Sequence, residues 1–433
     1  MKVAIVGSGI SGLGAAHRLQ GQAEVTLFEA SDYFGGHTHT VDLTLNGPGG
    51  SVTHGVDTGF LVFNERTYPT LIRLFSELDI PCSRSDMSFS VQVPGDAGRA
   101  ALEWSGSSLN TVFAQRRNLL NPQFIGMLRS VLRFNALATR LATAAADHEP
   151  MQPLSEFLDQ HGFSQAFRDW YFLPMLGCIW SCPTDQMLQF PVATMLRFCH
   201  NHGLLQVRDR PQWWTVSGGA RRYVEAITSR LNDRRLNCAV RRIKRDDDGV
   251  LLTTDAGTQR YDKLILATHS DQALALLAQP SPREQAVLGA IRYQPNRAVL
   301  HTDRSVLPGR PLAWAAWNYE RSMDTDQPNR VCLHYLLNRL QPLPFTQPVL
   351  VSLNPVRDID PHQIHAAFDY AHPVFDRAAI LAQDGVAGLQ GRHHTYFCGA
   401  WTGYGFHEDG LKSGLAAAAQ LLTDTGRSTG TTA

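Results

Sequence analysis

The chain opens MKVAIVGSGISG (residues 1–12) and soon reaches EVTLFEASDYFGGHT (residues 24–38). These two stretches decide the fold. Lys2–Val6 is an apolar, β-branched run suited to a buried parallel strand. Gly7, Gly9 and Gly12 follow in G-S-G-I-S-G, with Leu13, Ala15, Ala16 and Leu19 behind them at helical spacing. Gly7 permits the tight turn out of the strand and Gly9 lets backbone approach a pyrophosphate. Gly12 lets the helix pack close, with its N-terminus toward the anion. A second strand, Glu24–Phe28, ends on Glu29, 20 residues beyond Gly9. A carboxylate there accepts hydrogen bonds from both hydroxyls of an adenosine ribose and repels a 2′-phosphate, which favours FAD or NAD over NADP. A lone G-x-G-x-x-G is as readily an ordinary turn before a helix. Strand, glycines, helix, strand and acid in register predict a dinucleotide site that includes Ser8, Ile10, Ser11 and Ala30.

The next residues separate FAD from NAD. Glu29 is followed, after five residues, by Gly35, Gly36, His37 and Thr38. This E-x5-G-G-x-T pattern resembles the flavin amine oxidase superfamily, which includes amine oxidases, protoporphyrinogen oxidase and phytoene desaturases. The resemblance implies noncovalent FAD contacted by Gly36, His37 and Thr38. The superfamily normally has Arg or Lys after the glycine pair. His37 in that place exchanges a permanent cation beside the diphosphate for one expected to titrate near neutrality.

At 433 residues the chain is long enough for two domains. Lys plus Arg and Asp plus Glu are both 39, so zero net charge gives no electrostatic case for nucleic acid. A strand starting at Lys2 leaves no room for a secretory signal, and no apolar run is long enough to span a membrane. Seven scattered cysteines suit a reducing compartment. A cytoplasmic location is therefore expected, with any lipid contact at the inner membrane face. Cys178 and Cys182 form the only close pair; without suitably spaced partners they read as a helix face, and no metal is expected.

Residues 51–63 run from extended apolar positions through Asp57, and the resemblance places Thr58, Gly59 and Phe60 beside the flavin, Gly59 avoiding collision with the ring. A plain strand and turn is the alternative for each. Tyr68–Leu78 predicts a helix and Phe89–Val93 a strand. Between Trp104 and Ala146 there is no acidic residue, yet Arg116, Arg117, Arg129, Arg133 and Arg140 alternate with apolar positions. Such a helix can lie on an anionic membrane, or it can be a substrate-domain helix whose arginines snorkel to water. The wide apolar arc favours the second. The aromatic stretch 153–205 is either a packed helical core or the wall of an apolar pocket.

Trp213–Ala220 resembles the superfamily's return to the nucleotide domain. Strands are expected at 239–243, 250–254 and 261–267, and the resemblance brings the Val240 backbone to the adenine. Further strands near 297–302, 312–318, 331–336 and 349–353 precede polar, Pro-rich connections. No lysine occurs between Lys263 and Lys412. Many amine oxidases hold a water against flavin N5 with a lysine in this region, so its absence argues against amine oxidation. Thr395–Cys398 predicts a strand, followed by Gly399 and a loop, and a helix starts at His407. The resemblance carries Gly399, Ala400, Glu408, Asp409 and Gly410 over as flavin neighbours, although the superfamily commonly has an acid where Ala400 stands. His407 or Glu408 is the candidate general base.

The expected architecture is α/β: a Rossmann-type FAD-binding domain of the flavin amine oxidase type (1–75, 210–278, 390–425), interrupted by a mixed-sheet plus helical substrate domain (76–209, 279–389), with a flexible tail at 426–433. Segments 269–277, 353–355 and 403–410 also resemble bacterial oxidoreductases associated with fatty-acid modification. That resemblance implies hydride transfer from an apolar, acyl-like small molecule to flavin N5, with dioxygen or a quinone as electron acceptor. The rivals are an amine oxidase using dioxygen and a catalytically silent FAD-binding component of a lipid-modifying complex.

Overall fold

Lys2–Val6 does form a strand, buried from Val3 onward. It pairs in parallel with Glu24–Phe28 on one side and Lys263–Leu266 on the other. Asp233–Arg235 and Thr395–Phe397 extend the two edges, also in parallel. The resulting five-stranded sheet gathers strands from three distant parts of the chain. This computed structural model describes residues 1–95, 101–144, 152–206, 210–323 and 330–426. Of the expected tail, positions 427–433 lie outside the described residues.

Two helices cross on this sheet at close range. A Cβ on Gly414, in the helix His407–Asp424, would lie 2.0 Å from the Ser11 carbonyl oxygen, and one on Gly410 would lie 2.8 Å from Ile10 Cγ2. In the helix Ile10–Leu19, Gly14 would meet Leu411 at 2.7 Å. The N-terminal and C-terminal motifs are thereby held against one another. Val240–Asp246, Gly249–Thr254 and Gly257–Tyr261 form an antiparallel meander; the first two cover the strands expected at 239–243 and 250–254, the third was not expected, and the strand expected at 261–267 is Lys263–Leu266 of the parallel sheet.

The second layer is a seven-stranded mixed sheet, in the order Ile364–Val374, Arg292–His301, Leu350–Leu353, Val331–Leu336, Trp317–Arg321, Phe89–Val93 and Leu102–Ser105. Its edge strand Ile364–Val374 departs from the expected polar connection. Ala366, Phe368, Tyr370 and His372 alternate along it. Pro373 is tolerated because an edge strand has one side free of ladder hydrogen bonds. The strand expected at 312–318 starts only at Trp317, Pro311–Ala313 being a 3₁₀ turn. The basic helix spans Pro122–Ala144 and buries Phe124, Met127, Phe134 and Ala138, as its wide apolar arc implies. Among the described residues no helix is long and apolar enough to cross a membrane.

Candidate active site

A cavity of about 940 Å³ runs between the two sheets. One end is walled by the glycine turn, Glu29, Ala30 and Val240; the other is walled by side chains such as Tyr68, Cys178, Trp180, Trp317 and Tyr335.

The glycine turn shows which of its positions answer to the protein and which do not. Gly7 has φ +100°, and a Cβ there would sit 2.8 Å from the Ala267 carbonyl oxygen. Gly12 is excluded from the cavity lining by close packing: its Cβ would fall 1.9 Å from the Gly7 oxygen. Gly9 differs, since its φ of −61° suits any residue and a Cβ would meet no protein atom within 4 Å. Its missing side chain leaves room in the cavity, as close approach of a pyrophosphate requires. Ser8 donates from its backbone N–H (3.0 Å) and its hydroxyl (2.6 Å) to one Glu29 oxygen, and the Ser31 N–H donates to the other (3.0 Å). Glu29 is thereby fixed at the cavity wall as an acceptor for sugar hydroxyls. Ile10, Ser11, Gly36, Gly399 and Ala400 also line the cavity.

His37 lines it too, but not as a group that titrates near neutrality. Burial, and then the charge of His269, lowers its pKa to about 4, so it is neutral at pH 7. Its Nε2 is buried with no hydrogen-bond partner among the described residues. Tyr370, His372 and His269 surround the ring at centroid distances of 5.0, 5.2 and 6.2 Å. Burial likewise lowers His269 to about 4 and His372 to about 3. Among the described residues no arginine or lysine lines the cavity. Lys263 lies 3.1 Å from His394 Nδ1, and Lys412 lies 3.2 Å from Glu408.

The two candidate bases part company. His407 lines the cavity, its ring stacked on Phe60 at 3.8 Å and its Nε2 2.9 Å from the Thr38 hydroxyl, which also meets the Tyr223 hydroxyl. Burial lowers its pKa to about 3, making it a weak base. Thr38 itself is behind this wall and reaches the cavity only through His407. Glu408 points away: its two oxygens accept the backbone N–H groups of Thr70 (3.0 Å) and Leu71 (2.9 Å), capping the helix Pro69–Glu77. Its carboxylate is thereby held outside the cavity lining. Asp409 accepts the N–H groups of Tyr404 (3.1 Å) and Phe406 (3.0 Å), fastening the start of its own helix. Gly410 is the helix-crossing glycine. None of these three lines the cavity.

Thr58, Gly59 and Phe60 do line it, with a different reason for the glycine. A Cβ on Gly59 would fall 2.2 Å from the His37 carbonyl oxygen, so packing within the protein already requires glycine there. Thr58 is held by the Tyr370 hydroxyl at 2.8 Å. Phe368, Tyr370 and His372 are cavity residues that the sequence reading missed. Their alternation along Ile364–Val374 was the available signal. Asn296, whose side-chain nitrogen is 2.8 Å from His372 Nδ1, orients the last of them. Cys178, read as part of a helix face, reaches the cavity as well, and burial pushes its thiol well above the usual range.

A glycine turn with room for a pyrophosphate, a fixed ribose-directed acid and a second, largely apolar chamber define a dinucleotide-dependent redox site. The chain belongs to the flavin containing amine oxidoreductase family, whose model matches residues 10–342. FAD, bound noncovalently, is the cofactor of that family. Over 290 residues the chain is 28% identical to a Mycobacterium tuberculosis protein provisionally named flavin-containing monoamine oxidase AofH; the match covers 64% of this chain and 59% of that protein. The chain thus spans under two thirds of that relative's length. Among solved structures it is similar to cyclohexylamine oxidase from Brevibacterium oxydans, with a TM-score of 0.70 at 16% identity over 98% of this chain and 99% of that one. It is also similar to a fatty acid isomerase from P. acnes that produces CLA, with a TM-score of 0.63 at 18% identity over 98% of both chains. At these identities the structures speak for the fold alone.

Proposed function

We propose that the protein is an FAD-dependent oxidoreductase that takes hydride from an apolar, acyl-like carbon chain and leaves a C=C bond. The character of the second chamber carries this reading. Tyr68, Cys178, Trp180, Phe198, Trp317 and Tyr335 wall it, and among the described residues the only carboxylates lining the whole cavity are Glu29 and Asp369. Glu29 belongs to the nucleotide end, while Asp369 is largely exposed and lies 3.5 Å from Arg297. An apolar chain loses little on entering such a chamber, whereas a cationic amine would lose its hydration with no anion in return.

Bound FAD supplies the two-electron acceptor. The chain's own residues hold the substrate and exclude water, so that a C–H bond meets the ring in a fixed geometry. His407, wedged between Phe60 and the Thr38 hydroxyl, positions the reacting end rather than acting as a strong base. The proton that accompanies hydride loss passes to solvent, and dioxygen or a quinone reoxidises the enzyme. The domain division fits this division of labour. All five strands of the parallel sheet fall within 1–75, 210–278 and 390–425, which we assign to FAD, and the mixed sheet falls within the substrate segments 76–209 and 279–389.

Amine oxidation is the second reading, favoured by the similarity to the mycobacterial protein and opposed by the chamber's lack of lysine and of an amine-holding carboxylate. A peroxide assay across amines, run beside anaerobic reduction by fatty acids and acyl esters, separates the two. Robust turnover of any amine would replace the proposal. If dithionite bleaches the flavin while no lipid or amine does, the silent, scaffold-type reading takes its place.

A further inference from the structure

The stretch without acids, 104–146, has a second side that its packed face does not explain. Leu109, Leu119, Leu120 and Leu132 are 80%, 53%, 90% and 60% exposed, four of the eight large apolar side chains exposed among the described residues. A fifth, Leu312 at 39%, lies on the turn Pro311–Ala313, which packs beside Leu109–Val112. Scattered apolar side chains on a surface need no explanation, but a cluster of them does.

Arg116 gathers the cluster. Its guanidinium donates to the Asn110 carbonyl (3.2 Å), the Phe113 carbonyl (2.8 Å) and the Asn110 side-chain oxygen (2.5 Å). These bonds tie the turn Arg116–Leu120 to the short helix Leu109–Val112, so that the segment carrying the exposed Leu109, Leu119 and Leu120 forms one knuckle of consecutive short elements. Beneath it Phe113 and Trp104 pack edge-on against buried Phe124, at 5.9 and 6.1 Å, anchoring the knuckle to the basic helix. Arg117 donates to the Ala101 carbonyl. Both guanidinium groups are thus bonded to neutral acceptors, and among the described residues neither pairs with an acid. On the helix Pro122–Ala144, Arg129, Leu132, Arg133 and Ala136 continue the exposed face at helical spacing. Glu103, on the adjoining strand, is already paired with Arg310 at 3.0 Å.

We propose that this face, the knuckle with the adjoining side of the basic helix, docks the protein on an anionic lipid surface. Leucines at the tip enter the boundary between headgroups and acyl chains, and the arginines beside them meet lipid phosphates, the arrangement that gives peripheral binding its joint apolar and electrostatic character. A folded protein partner would answer the leucines but not a field of arginines, unless it were itself strongly acidic. The inference stands on this surface alone and does not depend on the substrate proposed for the cavity.

Flotation of the full chain with phosphatidylcholine vesicles, with and without about one third phosphatidylglycerol, tests it. Binding is expected only to the anionic vesicles and should be lost in about 0.5 M salt. Leu119→Ser/Leu120→Ser and Arg117→Gln/Arg129→Gln should each weaken it at least tenfold, while the melting temperature and flavin spectrum stay unchanged, since all four positions are exposed. Failure to float with anionic vesicles would overturn the proposal, as would equal binding by the leucine double variant. A concentration-dependent dimer that the leucine variant abolishes, with no lipid binding, would overturn it in favour of a second copy of the chain.

Discussion

Replacing His37 by arginine should abolish a proton linkage in FAD binding that the wild-type site imposes. Gly36 packs on the glycine turn, its Cβ position 3.2 Å from Gly9 Cα, so His37 stands next to the place where the diphosphate is expected. Its neighbours offer no permanent charge: His269 caps the helix Ser270–Leu276, His372 and Tyr370 face it from the edge strand, and His407 faces it from the last helix. Alone, the protein holds His37 neutral above about pH 4. A diphosphate beside the unpartnered Nε2 favours the imidazolium, so binding takes up a proton. Wherever the pH lies between the free and bound pKa values, affinity falls about tenfold per pH unit, or about 1.4 kcal/mol. The fall begins above the free value of about 4 and ends at the bound value. Quenching of flavin fluorescence by apoprotein gives the affinity, and calorimetry in two buffers of different ionisation enthalpy gives the proton count. His37→Arg carries its charge permanently, so its affinity should be flat with pH and its proton uptake nil. A wild-type affinity that does not change with pH, or a slope that persists in His37→Arg, would refute the reasoning.

Gly9→Ala and Gly12→Ala should fail differently. At Gly9 the added methyl meets no protein atom, so the melting temperature holds while FAD affinity drops at least tenfold; at Gly12 the clash at 1.9 Å with the Gly7 oxygen should lower stability itself. Glu408→Gln should cost about 1–3 kcal/mol in denaturant unfolding, because an amide serves two buried N–H donors less well than a carboxylate. It should leave the flavin spectrum and hydride transfer unchanged; loss of catalysis at full stability would restore Glu408 to the site. Acid should unfold the protein early. His37, His269, His372 and His407 all have folded pKa values lowered from 6.5 to between about 3 and about 4. Their contribution is complete above the unfolded value of 6.5 and is lost as pH falls toward the folded values. A single such histidine costs about 2 kcal/mol on going from pH 8 to pH 5. Unfolding midpoints that stay level between those pH values would contradict this.

The nucleotide half of the fold was legible because its signals are local. Lys2–Val6 and Glu24–Phe28 form strands with the expected bounds, and the turn between them carries its chemistry in consecutive residues. The C-terminal motif was legible as a strand and a helix start, but not in where its acids point. Whether Glu408 faces a cofactor or a neighbouring helix depends on where Thr70 and Leu71 lie, hundreds of positions earlier, and no local spacing encodes that. The same holds for Gly59, glycine because of the His37 carbonyl. His37 itself was visible as a departure from the superfamily, but its charge state follows from burial among three other histidines and Tyr370, contributed by segments far apart. The edge strand Ile364–Val374 was hidden by Pro373 and its polar residues, which an edge tolerates and a central strand does not.

The central claim is that the apolar chamber delivers an acyl-like chain to the flavin. Anaerobic titration of the purified holoprotein with fatty acids and acyl esters, followed in the long-wavelength flavin band and by mass spectrometry of the product, tests it most directly. The account predicts bleaching by at least one such chain, with a product two hydrogens lighter. Bleaching by amines alone, with every acyl chain inert, would contradict it.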